Sequence, residues 1–221
     1  MKRLFRFVLR WTLRLFLLAA LIVIAGRWVV PPITHTQLVQ WRAQGGMQRD
    51  WVDFERSGPM PAAVLAAEDA RFCTHFGLDM QAIRDAMQDE RRRGGSTISQ
   101  QVAKNVYLWQ DASWTRKGLE AAITLLIEAT WPKRRIVEVY LNVAETGPGV
   151  FGVEAAAHHW FGVSAADLSP AQAARIAAIL PAPRTRDPAR PSDFVRDRGR
   201  AIAGGAATLR ANGGLACLEE G

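Results

Sequence analysis

Residues 61–72 read PAAVLAAEDARF, an apolar run into which two adjacent acids, Glu68 and Asp69, are set. Proline suits a first helical turn, and the alanines and leucine that follow are strong helix formers. A helix over Pro61–Phe72 places Glu68 on the face of Val64, Leu65 and Phe72, so its carboxyl is at least partly buried. Burying an unpaired carboxylate is costly, and a protein answers by pairing it or by raising its pKa. A carboxyl of raised pKa in a cleft is what acid–base chemistry on a sugar hydroxyl requires. The competing reading is a helix-packing ion pair between Glu68 or Asp69 and Arg71, Arg84 or Arg116.

Outward from this run, apolar residues recur at spacings of three and four, the helical period. Asp79 is the expected N-cap of a helix to about Arg92, closed by Gly94-Gly95. Ser96 is expected to cap the next helix, through Asn105, and Ser113 a third, to Thr130. Pro132 ends that one and opens another through Asn142. The segment 145–152, ETGPGVFG, reads as a glycine-rich loop. Ser169-Pro170 starts a helix that stops before Pro181, and Asp193 opens the last one. Residues 35–60 are polar, with Gly45-Gly46 and Ser57-Gly58-Pro59, and read as a connecting segment. Alternating runs are few and there is no internal repeat, so the fold class is mainly α.

The length, 221 residues, fits one globular domain plus an appendage. A net charge of +7 invites a polyanion-binding reading until the charges are located. Lys2, Arg3, Arg6, Arg10, Arg14 and Arg27 fall in the first 27 residues, where there is no acid, and the remainder carries only +1. A nucleic-acid partner is therefore not expected. Leu15–Gly26 is uninterrupted apolar sequence, and with the flanks Phe7–Arg14 and Arg27–Val30 it supplies the roughly 20 residues that cross a hydrocarbon core. Arg14 and Arg27 can snorkel to the two interfaces, beside Trp11 and Trp28. Five cations precede the run and one follows it, which predicts a cytoplasmic amino terminus and a body on the far side. The alternative is a signal peptide cleaved after the small-residue stretch Val23–Ala25. Cys73 and Cys217 have no C-x-x-C spacing and are either free or bridged.

Within the body, Thr97, Gln101 and Lys104 recur at helical spacing in GGSTISQQVAKN (residues 94–105) and offer hydroxyl, amide and ammonium on one face. Such a face suits a phosphate and its sugar, or is a solvated amphipathic surface. Arg116, Lys117 and Glu120 form an R-K-x-x-E turn whose plain reading is a surface salt bridge worth about 0.2–0.5 kcal/mol. His75 reads equally as a packing residue or a functional one. His158-His159 lack a third partner at ligand spacing, so no metal is expected there. Trp109, Trp114, Trp131 and Trp160 read as core or membrane-interface residues.

Taken jointly, these segments resemble the glycosyltransferase family 51 domain of peptidoglycan synthesis. EDARFCTHFG fits the pattern E-D-x-x-F-x-x-H-x-G, and GGSTISQQVAKN fits G-G-S-T-I-T-Q-Q-x-x-K-N with Ser99 for the usual threonine. RKGLE fits R-K-x-x-E, and KRRIVEVYLN fits K-x-x-I-x-E-x-Y-L-N. Four ordered motifs between Ala66 and about Leu180 are far more specific than any one alone. The class A penicillin-binding proteins carry a transpeptidase domain after this one; no S-x-x-K or K-T-G occurs here, so a monofunctional member is expected.

The resemblance implies a lysozyme-like helical glycosyltransferase domain over 61–221, behind a basic tail and transmembrane helix over 1–30 and a membrane-proximal linker over 31–60. It implies polymerisation of lipid II into β-1,4 glycan strands at the bacterial inner membrane, the domain facing the periplasm. Glu68 is then the base for the acceptor hydroxyl, and Glu120 the second catalytic acid, beside the donor pyrophosphate. Glu120 would hold a divalent cation such as Mg2+, or the basic groups that offset the leaving charge; no organic cofactor is implied. Lys104 and Arg116, with Thr97, Gln101, Asn105 and Lys117, would bind the donor's phosphates and sugar. Asp69, Phe72 and His75 would shape the site around the base, and Glu138, Tyr140 and Asn142 would support the cleft from behind. The implied partners are lipid II, the growing glycan, the membrane and other wall-synthesis proteins. A lytic transglycosylase that cleaves glycan shares the helical class and a catalytic glutamate but has no pyrophosphate to hold. An inactive membrane scaffold is the remaining alternative, and the presence of both Glu68 and Glu120 disfavours it.

Overall fold

The computed structural model describes residues 2–88 and 95–219. In chain order the helices among them are α1 Lys2–Ala25, α2 His35–Gln44, α3 Met60–Glu68, α4 Met80–Gln88, α5 Ile98–Tyr107, α6 Trp114–Thr130, α7 Lys133–Val143, α8 Val153–Phe161, α9 Pro170–Ile179 and α10 Asp193–Ala211. Three short strands, β1 Gln48–Arg49, β2 Glu145–Gly147 and β3 Val150–Phe151, form a sheet in the order β1-β3-β2. β1 runs parallel to β3 and β2 antiparallel to it. The mainly α class is borne out.

Capping chemistry sets most helix starts. Asp79 Oδ1 accepts the N–H groups of Gln81 and Ala82 at the head of α4, as expected; the expected end at Arg92 and Gly94 lies outside the described residues. α5 is capped by Thr97 and not by Ser96. Thr97 Oγ1 accepts from Gln100 N while the Gln100 side chain returns to Thr97 N, a reciprocal pair that serine one residue earlier cannot make. Ser113 caps α6, and Ser169 with Gln172 and Pro170 starts α9. Ser192, one residue before the expected Asp193, caps α10.

Three stretches depart from the sequence reading. The expected loop at 145–152 is the β2–β3 hairpin. The expected connecting segment carries α2 and β1; α2 is capped by Thr34 and buries Gln37 and Gln40, so an apolar pattern could not reveal it. α8 follows Gly152, whose φ of 85° only glycine adopts easily and whose Cβ would press on the Asn142 carbonyl at 3.0 Å.

α9 is the most deeply sunk helix, with Ala173, Ala174, Ile176, Ala177, Ala178 and Ile179 all buried between α3 and α10. Alanines let these backbones approach closely. Met60, Leu65, Ile98, Ile127 and Ile136 fill the space beside them with 1% exposure or less; each contributes about 1.5–3 kcal/mol by leaving water. Cys73 and Cys217 are joined in a disulfide, Cα atoms 5.5 Å apart, which ties the turn after α3 to the last turn of the chain.

α1 is long and apolar enough to cross a membrane, and Val23 is the one residue it buries. Carbonyls at a helix end lack partners within the helix. Here the body supplies them: Trp131 Nε1 donates to Val23 O at 2.9 Å, and Arg135 donates to Gly26 O at 3.2 Å and Val29 O at 2.8 Å. The end of α1 is therefore seated on α6, and the turn that follows it on α7.

Candidate active site

Glu68 is the last residue of α3, where sequence periodicity places it mid-helix. The helix stops because Asp69 leaves helical geometry to spend its carboxylate elsewhere. One oxygen accepts the Ile98 N–H at the head of α5 and the other meets His75 Nε2, both at 2.9 Å. This brace brings the end of α3 against the start of α5, and Gln101 Nε2 donates to Glu68 Oε2 at 3.1 Å. On the far side of Gln101, the Tyr140 hydroxyl donates to its Oε1 at 3.3 Å.

Glu68 is half-buried. Burial pushes its carboxyl above the usual range, and Asp69 adds to that; the Gln101 hydrogen bond and the fields of Arg198 and Lys104 oppose it. Of the ion-pair partners weighed for Glu68 and Asp69, none is used: Arg71 binds Asp79 and Arg116 binds Glu120.

A second buried acid lies on α6. Glu120 is 2% exposed, and its two oxygens are taken by Arg116 Nη1 and Lys117 Nζ. Glu120 is thus a core acid, held by the largely covered Arg116 and the partly exposed Lys117, and not part of the solvated bridge that spacing alone suggests. Lys104 links the two acids electrostatically. Burial lowers its pKa, Glu120 and Glu68 push it back up, and Arg116 and Lys117 lower it further. A weakly solvated ammonium near a guanidinium and a second ammonium has the chemistry to hold an anion.

The remaining residues sort by exposure. Gln101, Lys104 and Asn105 line one concavity, with Tyr140, Glu145 and Arg184. Glu68, Asp69 and Thr97 line a neighbouring one, with Arg71 and Asp79. Thr97 is 3% exposed; its hydroxyl donates to Gly77 O at 2.6 Å and caps α5, which leaves it holding the loop more than facing a ligand. Gly77 can take that place because a Cβ there would come within 2.8 Å of Thr124 Cγ2 and 2.9 Å of Glu128 Cγ. Phe72, at 1% exposure, has no surface for a ligand; its ring packs in the core, with Lys133 Nζ 4.2 Å from the ring centre. Asp69 and His75 are turned toward each other, and His75 Nδ1 has no partner among the described residues. Asn142 ties α7 to Val52 through both backbone groups, and Glu138 pairs with Arg135.

Two residues enter that the sequence did not single out. Arg198, on α10, has a buried Nε without a partner among the described residues, and its charge is felt at Glu68. It sits in DFVRDRGR, which reads as an ordinary solvated face. Lys133, the first residue of the fourth motif, holds buried Glu128 at 2.9 Å and the His75 carbonyl at 2.8 Å, under the loop that follows the base.

For a metal, Asp69, His75 and Asp79 bring ligand atoms within 4.8 Å of one another. Those atoms already have donors: Ile98 N–H on Asp69, Arg71 and two backbone N–H groups on Asp79. Glu120 carries a cation on each oxygen, and that set fits an adjacent anion better than a divalent ion.

Residues 35–206 match the family model described as Transglycosylase. A relative from Jannaschia sp. (strain CCS1) is 56% identical over 214 residues, 95% of this chain and 90% of its own. One from Rhodospirillum centenum is 49% identical over 92% of this chain and 91% of its own, and one from Caulobacter vibrioides 42% identical over 96% and 99%. All three bear the name biosynthetic peptidoglycan transglycosylase. A half-buried acid at the end of α3, a cation cluster on α6 and a match across most of the chain converge: the protein belongs to the transglycosylase family and is a glycosyltransferase.

Proposed function

We propose that this peptidoglycan glycosyltransferase polymerises lipid II, with Glu68 as general base. The observation that carries the reading is the partly exposed side of α5, where Gln101 holds the half-buried Glu68 at 3.1 Å and lines a concavity with Lys104 and Asn105; Lys104 also feels the charges of Glu68 and Glu120. The base and the cations then serve adjoining concavities, joined by the Gln101–Glu68 hydrogen bond. The 4-hydroxyl oxygen of the acceptor sugar attacks the donor's anomeric carbon and its proton passes to Glu68. The bond from that carbon to the pyrophosphate oxygen breaks, and undecaprenyl diphosphate departs with the electron pair. Attack opposite the leaving group inverts the centre from α to β. Burial supports this role for Glu68, because a carboxylate of raised proton affinity is a stronger base for an alcohol. Diphosphate is a competent leaving group, so offsetting its charge matters more than protonating it. Lys104, Arg116 and Lys117 supply that charge from this chain's own residues, and Gln101 and Asn105 contact the sugar. Asp69, Phe72, His75 and Thr97 hold the frame. A divalent cation at the pyrophosphate would add to the same charge compensation.

The proposed placement is a single α1 span with its basic end in the cytoplasm and the body outside, at the inner membrane. The cation bias across α1 supports it, and so does the Cys73–Cys217 disulfide, which suits an oxidising compartment. A membrane-bound donor then meets a body seated on the end of α1. Wall-synthesis proteins are the expected neighbours, by function. Purified protein incubated with labelled lipid II in detergent tests the reading: long glycan supports it. Shortening of preformed glycan without synthesis would make the enzyme lytic, and no change in either substrate would make it a scaffold.

A further inference from the structure

We propose that Tyr140 is a positioning residue for the base: its hydroxyl fixes the Gln101 amide so that the N–H side, and not the oxygen, faces Glu68. The inference rests on the reading of Glu68 as the base and adds the element that sets its basicity.

Tyr140 is 1% exposed, and Gln101 Oε1 is the one hydrogen-bond partner of its hydroxyl among the described residues. A phenol deep in the core must donate its proton or leave it stranded. It therefore demands the amide oxygen, and the planar amide must then aim Nε2 at Glu68 Oε2. Turning the amide over would set its oxygen against the carboxylate and leave the phenol proton without an acceptor. In this state Gln101 can only donate to Glu68, and its N–H bonds the ionised carboxylate more strongly than the carbonyl oxygen of the neutral acid. It cannot accept a proton from the neutral acid, so the amide restrains the rise in basicity that burial imposes.

Phenylalanine at 140 removes the constraint while keeping the ring. The amide then turns freely, donating to the carboxylate or accepting from the protonated acid. The O–H of the protonated form gains an acceptor it lacked, and the proton affinity of Glu68 rises. The other groups facing Glu68 are Asp69 at the end of its own helix, Lys104 from α5 and Arg198 from α10; all are unchanged in the variant. One neutral hydrogen bond gained by one protonation state corresponds to an upward shift of about half to one pH unit.

The test is the pH dependence of lipid II polymerisation by the full-length protein, comparing wild type, Tyr140→Phe, Gln101→Met and the double variant, with melting curves for each. The inference expects the acid limb of the turnover rate to move up by about half to one unit in Tyr140→Phe. It expects no additional movement when that change is made on Gln101→Met, which has no amide to orient. A limb that coincides with wild type in Tyr140→Phe, or that moves equally in the Gln101→Met background, overturns it. Should Tyr140→Phe fail to fold, Gln101→Met decides: an upward limb supports the amide's role, and an unmoved one refutes it. Glu68→Gln separates the two levels. If it is inactive and the Tyr140→Phe limb is unmoved, only the positioning role falls; if it retains wild-type turnover, the base assignment falls with it.

Discussion

Replacing Lys133 by methionine should destabilise the fold by stranding a buried charge. Glu128 is 9% exposed, and its carboxylate is held by Ser99 Oγ and by Lys133 Nζ at 2.9 Å. Methionine keeps most of the stem's bulk but removes the cation, and it also abandons the His75 carbonyl and the Phe72 ring. Removing one partner from a buried pair costs about 3–5 kcal/mol. The Lys133 side chain keeps 18% of its exposure, so the low end, about 3 kcal/mol, applies. In a chain of this size that lowers Tm by about 6–12 °C. Thermal unfolding in detergent, followed by circular dichroism, reads it. Adding Glu128→Gln neutralises the stranded acid and preserves an acceptor for Ser99, so the double variant should melt above the Lys133→Met single. A single variant within about 2 °C of wild type, a change of under 1 kcal/mol, refutes the reasoning. So does a double variant that melts below the single.

Two further outcomes follow from the site. Lys104→Ala should raise the apparent donor KM by about 10-fold to 100-fold, the worth of a charge-assisted contact, with melting unchanged; an unaltered donor KM removes Lys104 from the pyrophosphate site. Glu68→Gln should stabilise the protein at neutral pH. Because burial raises the folded-state pKa of Glu68, the wild type is at full strength below the usual value of 4.5 and weakens as pH rises through the folded value. Glutamine does not titrate, so the Tm difference should grow from pH 4 toward pH 7 and then level; a difference independent of pH contradicts the burial.

Much of this arrangement is legible in sequence because it is built from local rules. Asp79, Ser113 and Ser169 announce helix starts by capping chemistry that needs no tertiary partner, and Pro132 does so by its fixed backbone angle. The apolar spacing around Glu68 discloses a buried acid. Its position along the helix is not disclosed, since Asp69 ends α3 only because Ile98 N–H and His75 await it from segments further along the chain. α2 is hidden by burying glutamines, and the β2–β3 hairpin by glycines that read as loop. Most of all, spacing does not report solvent. Arg116, Lys117 and Glu120 have the pattern of a surface bridge, and only packing makes Glu120 a core acid. Arg198 shows the same limit: a basic helix face becomes part of the site because α10 lies against α3. The four motifs carry more than their physics, for they join Glu68 and Glu120 in one family pattern before any contact is known.

The most direct measurement is the initial rate of glycan formation from labelled lipid II by Glu68→Gln, set beside donor binding by the same preparation. If Glu68 removes the acceptor proton, the rate falls by about 100-fold or more, as for loss of a general base, while donor binding and melting persist. Turnover close to wild type in a well-folded Glu68→Gln enzyme would contradict the account.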